Sequence, residues 1–188
     1  MTVVWHIYWP LLVAALLAGV IAGRLAYRRL RLGKDPAEDV KRAASEKYRR
    51  KRNKTVGLGT AGLLAAVALW HGPLGGGERF ARLVEGAVAT ELEWLEMPEI
   101  SGKLDRSPLS RTLVLAGPAN SFQRDGFIRA LRPVRGLAGI RWDDQRASHF
   151  ALPLLAEVTL LSLIAFSLGL FFSFVVEIRR RVNAEWSW

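Results

Sequence analysis

The chain has 188 residues, 51% of them hydrophobic, with a formal net charge of +10 and no cysteine. The missing cysteines exclude disulfide frameworks and thiolate metal sites. A soluble protein this basic would point to nucleic acid, but here the excess is local: residues 24–54 hold thirteen basic and four acidic side chains, residues 73–150 eleven and ten.

Residues 3–23 (VVWHIYWPLLVAALLAGVIAG) carry no formal charge. A membrane span needs roughly 20 mostly apolar residues to cross a core of about 30 Å, and this run meets that length. No basic residue precedes it, and Trp5, Tyr8, Trp9 and Pro10 crowd its start. That pattern predicts an uncleaved first span within residues 1–24 rather than a signal peptide.

A basic connector follows over residues 25–54. Its Asp35-Pro36-Ala37-Glu38 has an acid at the N-cap, proline at the first helical position and an acid two residues later, which predicts a helix running to about Arg52. The connector ends in KYRRKRNK, six positive charges in eight residues, directly ahead of a second apolar run, residues 55–72. A cluster in that position resists translocation and lies against anionic headgroups. The expected lipid contacts are Arg28, Arg29, Arg31, Lys47, Arg49, Arg50, Lys51 and Arg52. Nucleic acid is not expected as a partner.

Residues 73–149 are nearly neutral, and residues 150–177 form a third apolar run followed by a basic tail, 178–188. Lysine and arginine stay on the cytoplasmic side. All three apolar runs then agree: N-terminus and residues 73–149 outside, residues 25–54 and the C-terminus inside. With arginine in excess of lysine and abundant Ala, Gly and Leu, the expected location is a bacterial inner membrane.

The insert has its own pattern. GERFARLVEGAVATELEWL sets Phe80, Leu83, Val84, Ala87, Val88 and either Leu92 or Leu95 at helical spacing. EISGKLD and RTLVLAG read as strands separated by turn-rich RSPLS. Asn120 or Ser121 can cap a helix whose core face is Phe122, Phe127 or Ile128, Leu131 and Val134, and LAGIRWDD reads as a last strand. A strand–helix–strand unit crosses over right-handed, so the last two strands should be parallel. The order α-β-β-α-β predicts a small two-layer α+β domain between the second and third spans.

The segment RTLVLAGPANSFQRDGFIRALRPVRGLAGIRW resembles the second half of a BON domain, the module named for bacterial osmotically induced and nodulation proteins. Leu115-Ala116-Gly117 matches the end of that family's apolar strand. Val134, Arg135, Gly136, Leu137 and Ile140 match the helix end and the start of the last strand. Pro118 and a long linker, DRSPLS, depart from the pattern. The resemblance covers about 70 of the 188 residues. It implies a periplasmic domain that binds phospholipid or a partner at the membrane surface, with no catalytic residues.

The chain offers little for catalysis. Its Gly-rich stretch GPLGGG, residues 72–77, lacks the Lys and Ser/Thr of a phosphate loop and reads as a flexible tether. His6, His71 and His149 fall at the outer ends of the three spans and are the candidates for a metal site, against the plainer reading of interfacial histidines. Glu157 falls at the outer boundary of the third span. There it can stay hydrated, pair with an arginine of the insert, contact a partner helix or handle an ion. Small residues at Gly19 and Gly23, at Gly57, Ala61 and Ala65, and at Gly169 and Ser173 allow close helix approach.

These readings converge on a non-catalytic inner-membrane anchor or scaffold. Its expected partners are phospholipid and a membrane protein or second copy, with neither cofactor nor small-molecule substrate. The alternative is an integral subunit of a transport or signalling complex.

Overall fold

The computed structural model describes residues 5–27, 45–145 and 152–185. In chain order the elements are a 3-10 turn Trp5–Ile7, α1 (Trp9–Tyr27), α2 (Glu46–His71), α3 (Gly76–Trp94), β1 (Ser101–Arg106), β2 (Leu109–Ala116), α4 (Ser121–Leu131), β3 (Gly139–Trp142) and α5 (Leu154–Glu185). The described residues form two compact units. One comprises the chain up to Trp9 together with Ala68–Val158; the other comprises Pro10–Val67 and the chain from Thr159.

In the first unit, β1 pairs antiparallel with β2, and β2 pairs parallel with β3, in the order β1-β2-β3. The parallel pairing is the one expected from the α4 crossover. Val88 and Leu92 of α3, Leu113 and Leu115 of β2, Phe127 and Leu131 of α4 and Trp142 of β3 form one buried cluster. Both helices therefore cover the same face of the sheet. Asn120, not Ser121, caps α4: its side chain accepts from the Gln123 N–H at 2.8 Å while Gln123 Oε1 accepts from the Asn120 N–H at 2.9 Å.

Several expectations change here. The row Phe80–Val84–Val88–Leu92 at four-residue spacing meets the core. It turns the adjacent row, Leu83, Ala87 and Leu95, outward. In α4 the buried pair is Phe127 and Leu131; Phe122 lies off that row and is 81% exposed. The supposed long linker is a two-residue connection, Ser107-Pro108, between the paired ends Arg106 and Leu109, with a cis peptide. The glycines of the expected tether are partly packed. Gly75 adopts a left-handed turn (φ 72°), while Gly76 and Gly77 are buried in the first turn of α3. A methyl group at Gly76 would meet Trp70 O at 2.6 Å, and one at Gly77 would meet the His71 ring at 3.0 Å. Only hydrogen fits at Gly76, while Gly77 is merely tight.

In the second unit α1 and α5 touch through small residues. A Cβ on Gly19 would overlap the Phe166 carbonyl, and one on Gly169 the Leu16 carbonyl. Ser173 Oγ–H donates to Val20 O at 2.9 Å. The first and third small-residue motifs thus face each other, as close helix packing requires. The second does not join them: Gly57, Ala61 and Ala65 are exposed, and α2 instead packs through Gly59, against Phe166 and Ala22, and through buried Leu63.

By length and composition α1 and α5 can cross a membrane; α2 adds a third span only if counted with α3 as one broken helix. That combination is poor physically, because the apolar row of α3 is buried in the domain core. Large apolar side chains remain outward on both candidate spans: Leu17, Ile21 and Leu25 on α1, and Leu160, Ile164 and Phe171 on α5. Water would disfavour such surface; lipid accepts it. α2 runs unbroken from Glu46, so KYRRKRNK forms its first turns instead of ending a separate connector helix. The start of that predicted helix, at Asp35, lies outside the described residues.

Candidate interaction surfaces

The chain enters and leaves the domain at the same end of the sheet. Glu78, in the first turn of α3, pairs with Arg106 at the end of β1 (3.1 Å). Pro153, just before α5, bridges to Ser110 at the start of β2. Arg111 then joins two further elements. Its Nε–H donates to Gly136 O behind α4 (2.9 Å), and its guanidinium pairs with Glu157 in the first turn of α5 (3.1 Å). Tyr8 and Trp70 complete this end. Tyr8 is buried, with its hydroxyl 3.1 Å from His71 Nδ1 and its ring 6.3 Å from that of Phe80. Trp70 Nε1–H donates to Ile7 O at 3.1 Å.

Charge is distributed unequally between the two ends. Arg79, Arg132 and Arg135 are exposed at the tethered end, in the first turn of α3 and just behind α4. β1 and β3 run in opposite directions, so the loop leading into β1 lies at the other end. Contacts agree: a Cβ on Gly117, after β2, would meet Glu99 O at 2.6 Å. This distal end carries Glu93, Glu96 and Glu99, which have no cationic partner among the described residues. No basic residue lies in the last turn of α3, so the negative pole of its dipole adds to theirs. Trp94 and Phe122, each 81% exposed, sit at this end too.

Three further domain arginines make internal contacts. Arg106 binds both Glu85 oxygens (3.2 and 3.0 Å). The Glu85 hydrogen bond and charge, helped by Glu78, raise the Arg106 guanidinium above its ordinary value. Arg141 pairs with Asp105 at 3.1 Å across the sheet face away from the helices. Arg124 pairs with Asp144 at 2.6 Å and lies 4.9 Å above the Trp142 ring.

Both sheet edges are partly closed by side chains. The Leu104 N–H, turned away from β2, donates to Glu85 Oε1 at 3.0 Å. On the opposite edge Trp142 N–H donates to Gln145 Oε1 (3.3 Å), and Trp142 O accepts from Gln145 N (3.0 Å). Such contacts oppose addition of a further strand.

The sequence candidates do not converge on one site. His6 is exposed and His71 is engaged with Tyr8, while His149 lies outside the described residues. Among the described residues no group of three His, Cys, Asp or Glu could hold a metal. Lys47, Arg49, Arg50 and Lys51 are exposed on the first turns of α2 and Arg52 is half-buried; Arg28, Arg29 and Arg31 lie outside the described residues. Glu157 has the domain arginine its position allowed for, Arg111. Sequence reasoning missed two positions, Trp94 and Phe122, both assigned to helices by periodicity. The available signal was their offset from the buried rows, Trp94 two residues past Leu92 and Phe122 five before Phe127. Comparison with protein-family models, curated proteins and solved structures gave no match.

Proposed function

We propose that the chain is a non-catalytic bacterial inner-membrane protein that displays a BON-like domain in the periplasm and acts as an anchor or scaffold. In this reading the apolar part of α2 crosses the membrane by itself, without α3, so that residues 25–54 and the C-terminus are cytoplasmic, and the polybasic start of α2 rests against anionic phospholipid. The α-β-β-α-β order with parallel β2 and β3 supports the BON-like assignment.

The polarity of the domain carries the functional part. Two tethers join the domain at its arginine-bearing end, and the carboxylates, Trp94 and Phe122 lie at the opposite end of the sheet. Exposed tryptophan beside unpaired charge is suited to anchoring a protein partner. The exposed row Gly57, Ala61 and Ala65 on α2 favours a second reading, an integral subunit of a larger transport or signalling complex.

Mild-detergent purification followed by mass spectrometry tests both. A partner lost in Trp94→Ala/Phe122→Ala supports the scaffold; one lost only in Gly57→Leu/Ala61→Leu supports the subunit. A chain that purifies alone and shows no preference among lipids refutes both.

A further inference from the structure

Within the second unit, a groove of about 840 Å³ runs beside the close contact of α1 with α5. Leu16 and Val20 of α1 and Phe172 and Val176 of α5 make its apolar walls, and Arg24 and Arg180 line it as well. Both arginines are exposed and lie toward the C-terminal parts of their helices. The small residues Gly19, Gly23, Gly169 and Ser173 hold the two backbones together, so side chains do not fill the space alongside.

A groove in candidate spans that is apolar along its length and carries two cations has the chemistry of one amphiphile. Hydrocarbon fills the space between the helices, and a phosphate meets the guanidiniums, which bind phosphate oxygens in fork geometry. We propose that this groove is a seat for one anionic glycerophospholipid, its acyl chain along Val20 and Val176 and its phosphate between Arg24 and Arg180. Glu177 also lines the groove, where it is buried and already engaged in an interaction; one carboxylate against two guanidiniums leaves the lining formally cationic. By the topology above, the lipid belongs to the cytoplasmic leaflet, where anionic lipid is enriched. The inference rests on the membrane-anchored reading and adds a discrete site to the diffuse attraction of the polybasic turns.

The full chain in nanodiscs of phosphatidylcholine, with or without phosphatidylglycerol, provides the test, read by native mass spectrometry of the lipids that stay bound after extraction. Wild type should retain one phosphatidylglycerol in preference to phosphatidylcholine. Arg24→Gln and Arg180→Gln should each weaken that preference about fivefold, from about 1 kcal/mol per arginine. Val176→Trp, which fills the groove at unchanged charge, should weaken it too, while Arg49→Gln/Arg50→Gln on α2 should leave the single retained lipid in place. A preference that survives all three groove variants, or that disappears with the α2 variant alone, overturns the discrete site. Absence of any preference in wild type overturns it as well, with membrane anchoring intact. A chain that fails to enter nanodiscs and washes off membranes in alkaline carbonate overturns the anchoring itself.

Discussion

Arg111 and Glu157, separated by 46 positions, pair at 3.1 Å and tie the second strand of the domain to the first turn of α5. Each side chain is only about a quarter exposed, at 23% and 22%. The bond therefore sits between the weak exposed pairs and the costly buried ones. It gives Glu157 a partner inside its own chain.

A double-mutant cycle with Arg111→Met and Glu157→Gln should return a coupling of about 1 kcal/mol in denaturant unfolding. Arg111→Met should cost more than Glu157→Gln, because it also removes the bond to Gly136 O and leaves the Glu157 carboxylate without its arginine. Zero coupling, together with a lost partner in Glu157→Gln, would assign Glu157 to an external contact.

Two glycines of α3 should respond in opposite ways to alanine. Gly76 faces Trp70 with no room for a methyl group, so Gly76→Ala should cost about 1–3 kcal/mol. Around Gly86 there is open space, and Gly86→Ala should gain about 0.5–1 kcal/mol of helix stability. Thermal unfolding of both variants checks the sign of each.

Helix contact in the second unit depends on Gly19 and Gly169. Replacing either by leucine drives a side chain into the opposing backbone and should cost about 1–3 kcal/mol in mild detergent. Gly57→Leu, on the open face of α2, should leave that stability unchanged. Equal losses at all three would mean that α2 is covered where it looks bare.

The tryptophans of the domain divide by role. Trp142, 1% exposed and stacked on its edge with Phe127 at 6.2 Å, should cost about 3–5 kcal/mol when cut to alanine. Trp94→Ala should stay within about 0.5 kcal/mol of wild type while abolishing capture of the partner protein. Tryptophan fluorescence during unfolding and co-purification give the two readouts.

Orientation can be read directly, because the chain has no cysteine to interfere. Ser107→Cys, on an exposed turn of the domain, should react with a membrane-impermeant maleimide in intact spheroplasts. Asn53→Cys, within the polybasic turns of α2, should react only after lysis. The reverse pattern would invert the topology and remove the periplasmic workplace of the domain.

Local regularities made much of this chain legible from residues alone. Apolar runs long enough to span hydrocarbon mark α1 and α5, and regular apolar spacing marks the strands and helices of the insert. A crossover helix between two strands implies their parallel pairing from element order alone. These features depend on neighbours within one or two turns, which a sequence displays. Tertiary structure alone decided which of two adjacent rows on α3 meets the sheet, since the rows 80–84–88–92 and 83–87–91–95 differ by a single helical step. It also decided that Gly76 and Gly77 are packed against Trp70 and His71, and that Arg111 reaches Glu157. Such relations join atoms far apart along the chain, and their energy comes from space filled and charge matched in three dimensions. Composition and periodicity carry no record of that.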